Sequence, residues 1–400
     1  MSEIDRRLFL TQAAALATAP LLSSIANAQA SGRKLGVALC GLGSLSTNQI
    51  APALQKTRFC RLAGIVTGTP SKATEWQKKY GLPDHSIYTY QTMQQMASNP
   101  DIDIVYVVTP NALHMEHTLA AAAAGKHVFC EKPLEISAER CQRMIDAVKK
   151  AGKMLGVGYR MQFEPNTLEC NRLAREKVLG DVKVIDANFG FAIGDPTQWR
   201  LKRALAGGGS LMDVGIYCLQ TTRMITGEDP IWVNASEVKT DAVKFKEVDE
   251  TVLWQAKFPS GVVSNSVCTY SANGLSGFRC ATTRGWFGMD PAYFYNNNRG
   301  RRSDGPEINL PSPNQFATEL DDFADCIINK RPTKVPGEMG LADVKFLMAI
   351  YESIKKGRPV SLDNHNDLSA SFKQFAYQLA GQRPDRESAR GSGLFRRLKR

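Results

Sequence analysis

The stretch Leu35-Gly36-Val37-Ala38-Leu39-Cys40-Gly41-Leu42-Gly43-Ser44-Leu45-Ser46 decides the fold. A β-rich apolar run passes directly into two glycines one residue apart, and a helix-compatible segment follows. Gly41 and Gly43 allow a tight turn and a close approach of backbone to a pyrophosphate. The helix start supplies free N–H groups and the positive end of its dipole. Ser46 stands at the third fingerprint position in place of glycine, and a small residue there still lets helix pack on strand. Further β-rich runs fall at 62–66, 102–108, 127–130 and 154–157, with helical segments between them. In one of these, Ser137 is placed to cap, and Cys141, Met144, Ile145 and Val148 share a face. Gly125 and Gly152 are placed as helix stops. This alternation predicts an α/β Rossmann domain, a doubly wound parallel sheet, over 33–156.

Gly41, Leu42, Gly43, Ser44 and Leu45 are therefore expected to cradle a dinucleotide. The end of the second strand selects which one. An NAD site usually places a carboxylate there for the ribose 2′-hydroxyl. Here the chain reads Val66-Thr67-Gly68-Thr69-Pro70-Ser71-Lys72, with no carboxylate. Thr67 and Lys72 are expected to hold a 2′-phosphate, so NADP is the expected cofactor. Loops at the carboxyl ends of parallel strands face the ligand crevice. That places Asn111 and His114, in Thr109-Pro110-Asn111-Ala112-Leu113-His114, and Glu131 and Lys132, in Cys130-Glu131-Lys132-Pro133, among the cofactor candidates.

The second half reads differently. Alternating β-rich runs fall at 182–189, 231–238, 251–258, 262–268 and 278–283, and late helices at 315–329 and 341–355. Phe258-Pro259-Ser260-Gly261 is a hairpin turn. A substrate and dimerisation domain is expected over 157–365.

Composition narrows the function classes. Hydrophobic residues make up 43% of the 400 and charged residues 22%, which suits two soluble cores. The net charge of +11 is concentrated at one end: residues 383–400 carry seven basic and two acidic side chains. A basic tail over 366–400 is expected to be a solvated terminus. No basic stripe is interleaved with aromatics, so nucleic acid is excluded as a partner. The nine cysteines are scattered without C-x-x-C spacing, and neither a metal site nor a disulfide framework is expected. Residues 1–28 read as a signal peptide: Arg6-Arg7, a short apolar segment, then Ala26-Asn27-Ala28. The paired arginines predict twin-arginine export of a folded, cofactor-loaded protein to the periplasm, without a transmembrane segment.

Residues 34–362 resemble the glucose–fructose oxidoreductase family, the Gfo/Idh/MocA type. The resemblance rests on Gly41-Leu42-Gly43, Asn111-x-x-His114, Ala124-Gly125-Lys126-His127-Val128, Glu131-Lys132-Pro133, Gly158-Tyr159-Arg160 and Gln198-Trp199-Arg200-Leu201. Its most specific part is Leu205-Ala206-Gly207-Gly208-Gly209-Ser210-Leu211-Met212-Asp213-Val214-Gly215-Ile216-Tyr217. The resemblance implies that an α+β domain with a large, mostly antiparallel sheet follows the Rossmann domain. It also implies a sugar as substrate and a homo-oligomer, dimer or tetramer, assembled through the sheet. It assigns catalysis to Lys132, Asp213 and Tyr217, with Tyr217 exchanging the proton.

The chemistry is coherent. Alcohol oxidation by hydride transfer needs a base at the hydroxyl and a nicotinamide at the same carbon. A lysine ammonium near a tyrosine favours its phenolate. If their segment is helical, Asp213 and Tyr217 share a face, and Asp213 can grip a sugar hydroxyl. Arg160, Trp199 and Arg200 are further sugar contacts, and Arg160 also borders the cofactor. The expected reaction converts an aldose to a lactone at the anomeric carbon, with a second sugar as hydrogen acceptor. Two alternatives stand beside it: an exported glycosidase cycling hydride through NAD, and a non-catalytic dinucleotide-binding protein. Tyr217 and the missing carboxylate after Val66 disfavour the first. The complete catalytic set disfavours the second.

Overall fold

The computed structural model describes residues 32–362. The signal peptide expected over 1–28 and the basic tail over 366–400 lie outside the described residues. In chain order the first elements are β1 (Leu35–Cys40), α1 (Ala51–Leu54), β2 (Cys60–Val66), α2 (Pro70–Tyr80), β3 (Ile87–Tyr88) and β4 (Ile104–Val107). There follow α3 (His114–Ala123), β5 (His127–Glu131), α4 (Ala138–Lys150) and β6 (Leu155–Gly158). The strands form one six-stranded sheet in the order β3-β2-β1-β4-β5-β6 with every pairing parallel. All residues of β1, β4 and β5 are buried, as expected of a sheet covered by helices on both faces. That is why these strands read as unbroken apolar runs. The Ser137 hydroxyl caps α4 through the Arg140 N–H, and Cys141, Met144, Ile145 and Val148 are its buried face. Gly125 and Gly152 end their helices with positive φ.

The second half contains α5 (Pro165–Arg175), β7 (Val182–Gly190), α6 (Ile216–Thr226), β8 (Trp232–Val238), β9 (Thr251–Lys257), β10 (Val263–Thr269) and β11 (Leu275–Thr282). It ends with β12 (Gly285–Met289), β13 (Gly300–Arg302), α7 (Gln315–Ile328), α8 (Gly337–Lys356) and β14 (Val360–Ser361). An eight-stranded sheet runs β13-β12-β11-β7-β10-β9-β8-β14. Only β7 and β10 pair in parallel; the others are antiparallel. Strand β9 alternates buried and exposed residues along much of its length, the pattern of a sheet with one face on a core. The short strands β3, β12, β13 and β14 were not among the sequence expectations. Two of them are two residues long, too short for any periodicity to register.

The late helices return to the first domain. In α7, Asp321 accepts hydrogen bonds from the Arg58 and Phe59 backbone N–H groups, and Cys60 donates to the Leu320 carbonyl. These contacts seat α7 against the start of β2, so the two domains meet along a seam. All nine cysteines are buried and unpaired. Among the described residues no helix is long and apolar enough to cross a membrane.

Candidate active site

The glycine loop leaves β1 at the carboxyl edge of the parallel sheet. Gly41 has φ +98°, and a Cβ there would stand 2.7 Å from the Val108 carbonyl oxygen, so only glycine fits. Gly43 is different: it is exposed, with nothing within 4 Å of where a Cβ would be. That gap is the cradle through which a pyrophosphate can meet backbone. Ser44 is exposed beside it, Leu45 is half-buried and Leu42 is buried. Ser46 turns inward and donates to the Gly41 carbonyl at 2.6 Å, which closes the turn from beneath.

The two residues expected to hold a 2′-phosphate separate. Lys72 reaches from α2 to the Leu42 carbonyl at 3.0 Å, so its ammonium sits over the loop. Thr67 is buried and its hydroxyl accepts the Thr69 N–H at 3.2 Å, which makes it a turn residue. Asn111 and His114 also serve the frame. Asn111 donates its amide to the Ala206 carbonyl at 2.9 Å and ties the first domain to the segment before Gly207. His114 is fully buried, with Nε2 2.8 Å from the Thr109 carbonyl and Nδ1 3.0 Å from that of Pro133. These contacts place His114 against the loop bearing Lys132. Burial holds this imidazole below its usual pKa.

At the seam Lys132, Asp213 and Tyr217 come together. Lys132 Nζ donates to the Asp213 backbone carbonyl at 2.7 Å and to its Oδ1 at 3.0 Å. Asp213 Oδ2 accepts from Arg200 Nε at 3.0 Å and from the Tyr270 hydroxyl at 2.9 Å. Burial alone pushes the Asp213 carboxyl up, but Lys132 and Arg200 override it and hold it far below the usual carboxylate range. Burial likewise pushes the Lys132 ammonium down. Asp213, with Tyr217 and Glu131, reverses that and holds it above the ordinary lysine value.

The expected Lys132–Tyr217 pair takes a particular form. Lys132 Nζ stands 4.9 Å from the Tyr217 ring centroid, over its face. The hydrogen bond to the Tyr217 oxygen comes instead from Arg160 Nε, at 3.1 Å. Arg160 is buried and lies between the Tyr217 and Tyr295 rings, 4.9 and 4.8 Å from their centroids. Its Nη1 donates to Gln315 Oε1 at 2.6 Å, and its Nη2 to the Tyr293 carbonyl. Trp199 is half-buried, and the Arg200 guanidinium stacks on it at 4.7 Å. Glu131 is buried behind Lys132 and accepts the Tyr106 hydroxyl at 2.6 Å.

Local backbone explains why Asp213 and Tyr217 face one centre. Leu211–Gly215 is a π turn that runs into α6, so Asp213 sits on a widened turn and Tyr217 in the first turn of the helix. Such turns often occur at functional sites. The preceding glycines are forced by packing. A Cβ on Gly208 would meet the Tyr351 hydroxyl at 1.9 Å, and one on Gly209 the Asp249 carbonyl at 2.0 Å. Asp249 accepts the N–H groups of Gly209 and Leu211 at 2.7 and 2.8 Å and pins the turn. Sequence reasoning missed Asp249, Tyr270, Tyr295 and Gln315. Each lies far along the chain in a segment without a motif, so no local signal marked it.

Comparison with known proteins agrees with this architecture. Residues 35–159 match the family described as "Oxidoreductase family, NAD-binding Rossmann fold", and residues 167–287 match the "GFO/IDH/MocA C-terminal domain". The chain is 32% identical over 337 residues to a D-xylose 1-dehydrogenase [NADP(+)] of Haloarcula marismortui, covering 82% of this chain and 92% of that protein. It is 31% identical to a 1,5-anhydro-D-fructose reductase of Ensifer adhaerens, over 81% of this chain and 98% of the relative. Among solved structures it resembles an aldose-aldose oxidoreductase from Caulobacter crescentus complexed with glycerol. That match has 44% identity and a TM-score of 0.80, and covers 82% of this chain and 100% of the other.

Proposed function

The chain belongs to the Gfo/Idh/MocA oxidoreductase family, and from that premise we propose that it is an NADP-dependent enzyme oxidising an aldose at its anomeric carbon. The product is a lactone, and a second sugar is the hydrogen acceptor. One observation carries this reading: Tyr217, Lys132, Asp213 and Arg160 converge within hydrogen-bonding or ring-contact distance at the carboxyl edge of the Rossmann sheet.

The cofactor reading fits the loop. Gly43 leaves an open cradle, Lys72 stands over it, and no carboxylate ends β2 to repel a 2′-phosphate. Bound NADP supplies the acceptor for the hydride leaving the anomeric carbon. Tyr217 Oη, as the phenolate, takes the proton from the hydroxyl oxygen on that carbon and becomes the neutral phenol. The Arg160 N–H and the Lys132 ammonium over the ring favour the phenolate that this step requires, and its charge is neutralised as the proton arrives. Asp213 anchors Lys132 and Arg200 at fixed distances, and its Oδ1 keeps capacity for a sugar hydroxyl. Trp199, with the Arg200 guanidinium stacked on its ring, is a further candidate sugar contact.

The reading includes a homo-oligomer assembled through the open face of the eight-stranded sheet, where Leu253 and Val263 are 39% and 38% exposed. It also includes export to the periplasm, which rests on residues 1–28. The test is to purify the protein, add NADP with D-xylose or D-glucose, and follow nicotinamide absorbance and lactone formation. Reduction of NADP with matching lactone supports the reading. No reduction with any aldose, or release of free sugar from a glycoside, contradicts it.

A further inference from the structure

Behind the catalytic cluster two carboxyl groups meet one tyrosine. Glu131 ends β5, Glu319 lies in α7, and Tyr106 lies in β4 between them. Tyr106 Oη is 2.6 Å from Glu131 Oε1 and 3.4 Å from Glu319 Oε1. Tyr106 and Glu319 are fully buried and Glu131 nearly so. Gly158 of β6 makes room for the pair, since a Cβ there would stand 2.9 Å from Glu131 Oε1. The titratable and charged groups facing the pair are Tyr106, Cys130 of β5, Lys132, Arg160 from the turn after β6, and Tyr295 from the loop after β12.

A tyrosine hydroxyl has one proton to donate. The 2.6 Å contact to Glu131 takes it. At 3.4 Å the Glu319 contact is too long for that same proton to serve well, and a proton on the Glu319 carboxyl fills it. Glu319 Oε2 is shielded from solvent and has no hydrogen-bond partner among the described residues. The carbonyl of a neutral acid tolerates that state far better than a carboxylate does. No salt bridge reaches either carboxyl among the described residues. Burial, and after it the charge of Glu131, pushes the Glu319 carboxyl well above its usual range.

We propose that Glu319 is protonated at neutral pH and donates to Tyr106, which donates to Glu131, and that this neutral acid is a positioning residue for Lys132. Glu131 Oε2 accepts the Lys132 backbone N–H at 3.2 Å, so the chain of hydrogen bonds ends on the residue that carries the catalytic ammonium. Charge is also conserved at the centre. Lys132, Arg160 and Arg200 face Asp213 and Glu131, which leaves one positive charge in excess near the Tyr217 oxygen. An ionised Glu319 would cancel it. The link to catalysis rests on the proposed function; the protonation and the positioning do not.

Both can be measured on the purified full chain without turnover. At neutral pH, the infrared difference between wild type and Glu319→Gln contains a carboxylic-acid carbonyl band. The difference for Glu135→Gln, at a buried carboxylate paired with Arg140, does not. Absence of the band from the Glu319→Gln difference overturns the protonation. Amide hydrogen exchange then tests the positioning. Glu319→Leu speeds exchange at the Lys132 N–H about tenfold, and Glu319→Gln, which keeps a neutral hydrogen-bonding side chain, restores the wild-type rate. Unchanged exchange in Glu319→Leu, or equal acceleration in both variants, overturns the positioning role.

Discussion

The glycine loop and the Lys132–Asp213–Tyr217 cluster are built on opposite plans. The loop is one contiguous run, 41–45, with an open backbone at Gly43 and a single distant visitor, Lys72. The cluster draws Lys132, Arg160, Arg200 and Tyr270 from separate segments onto Asp213 and Tyr217, and most of their polar atoms are already engaged. An open site is shaped to receive a ligand's own donors and acceptors. A closed one is preorganised, so little need move when charge develops. The first is expected to tolerate substitution at a cost in binding, the second to fail in rate.

The largest expected effect is in the cluster. Asp213→Ala leaves Lys132 and Arg200 without their shared carboxylate, and kcat for aldose oxidation is expected to fall by about 10²–10⁴-fold. Steady-state kinetics beside an NADP titration checks this; a fall in NADP affinity with kcat intact would erase the distinction between the two regions. Within the loop the glycines are expected to split. Gly41→Ala, strained by its positive φ and the Val108 carbonyl, lowers unfolding free energy by about 1–3 kcal/mol. Gly43→Ala changes stability by less than about 0.5 kcal/mol, because its Cβ meets nothing. It weakens NADP binding about tenfold by filling the cradle. Denaturant titrations and binding isotherms on the pair decide between these roles. Lys72→Ala is expected to have a comparable effect on NADP, about tenfold, and to leave NAD binding unaltered; equal losses for both would remove Lys72 from the 2′-phosphate site.

A further expected effect is on pH dependence, outside both regions. Burial holds His117, near the crevice, down at about 4 and His127 down at about 3, against an ordinary value of 6.5. Between those values the unfolded chain binds more protons than the folded one. Stability therefore falls as pH drops from about 6.5 toward 3. Denaturant midpoints across that range should decline, and His127→Gln should flatten the decline.

The same contrast explains what was legible in the sequence. The Rossmann domain was readable because its strands are buried on both faces and its ligand loop is contiguous. The Ser137 cap and the Gly125 and Gly152 stops were readable because capping is local chemistry. In the second sheet, the alternation of β9 was visible, whereas β3 and β14, at two residues each, carry no period. At the site, Lys132, Asp213 and Tyr217 were named through a family resemblance. Spacing alone did not distinguish them from a helix carboxylate and a half-buried tyrosine. Arg160 was assigned to cofactor and sugar, but its bond to Tyr217 was invisible because 57 residues separate them. The carbonyl contacts of His114 were likewise invisible, because a strand-end loop places a histidine near the crevice without fixing which way it turns.

The central claim is that Tyr217, held by Arg160 and Lys132, exchanges the substrate proton. The direct measurement is Tyr217→Phe in a single-turnover assay of NADP reduction by aldose, with the NADP dissociation constant determined on the same preparation. The expected result is a rate lower by about 10²–10⁴-fold with NADP affinity unchanged. Reduction at the wild-type rate by a variant that binds NADP normally would contradict it.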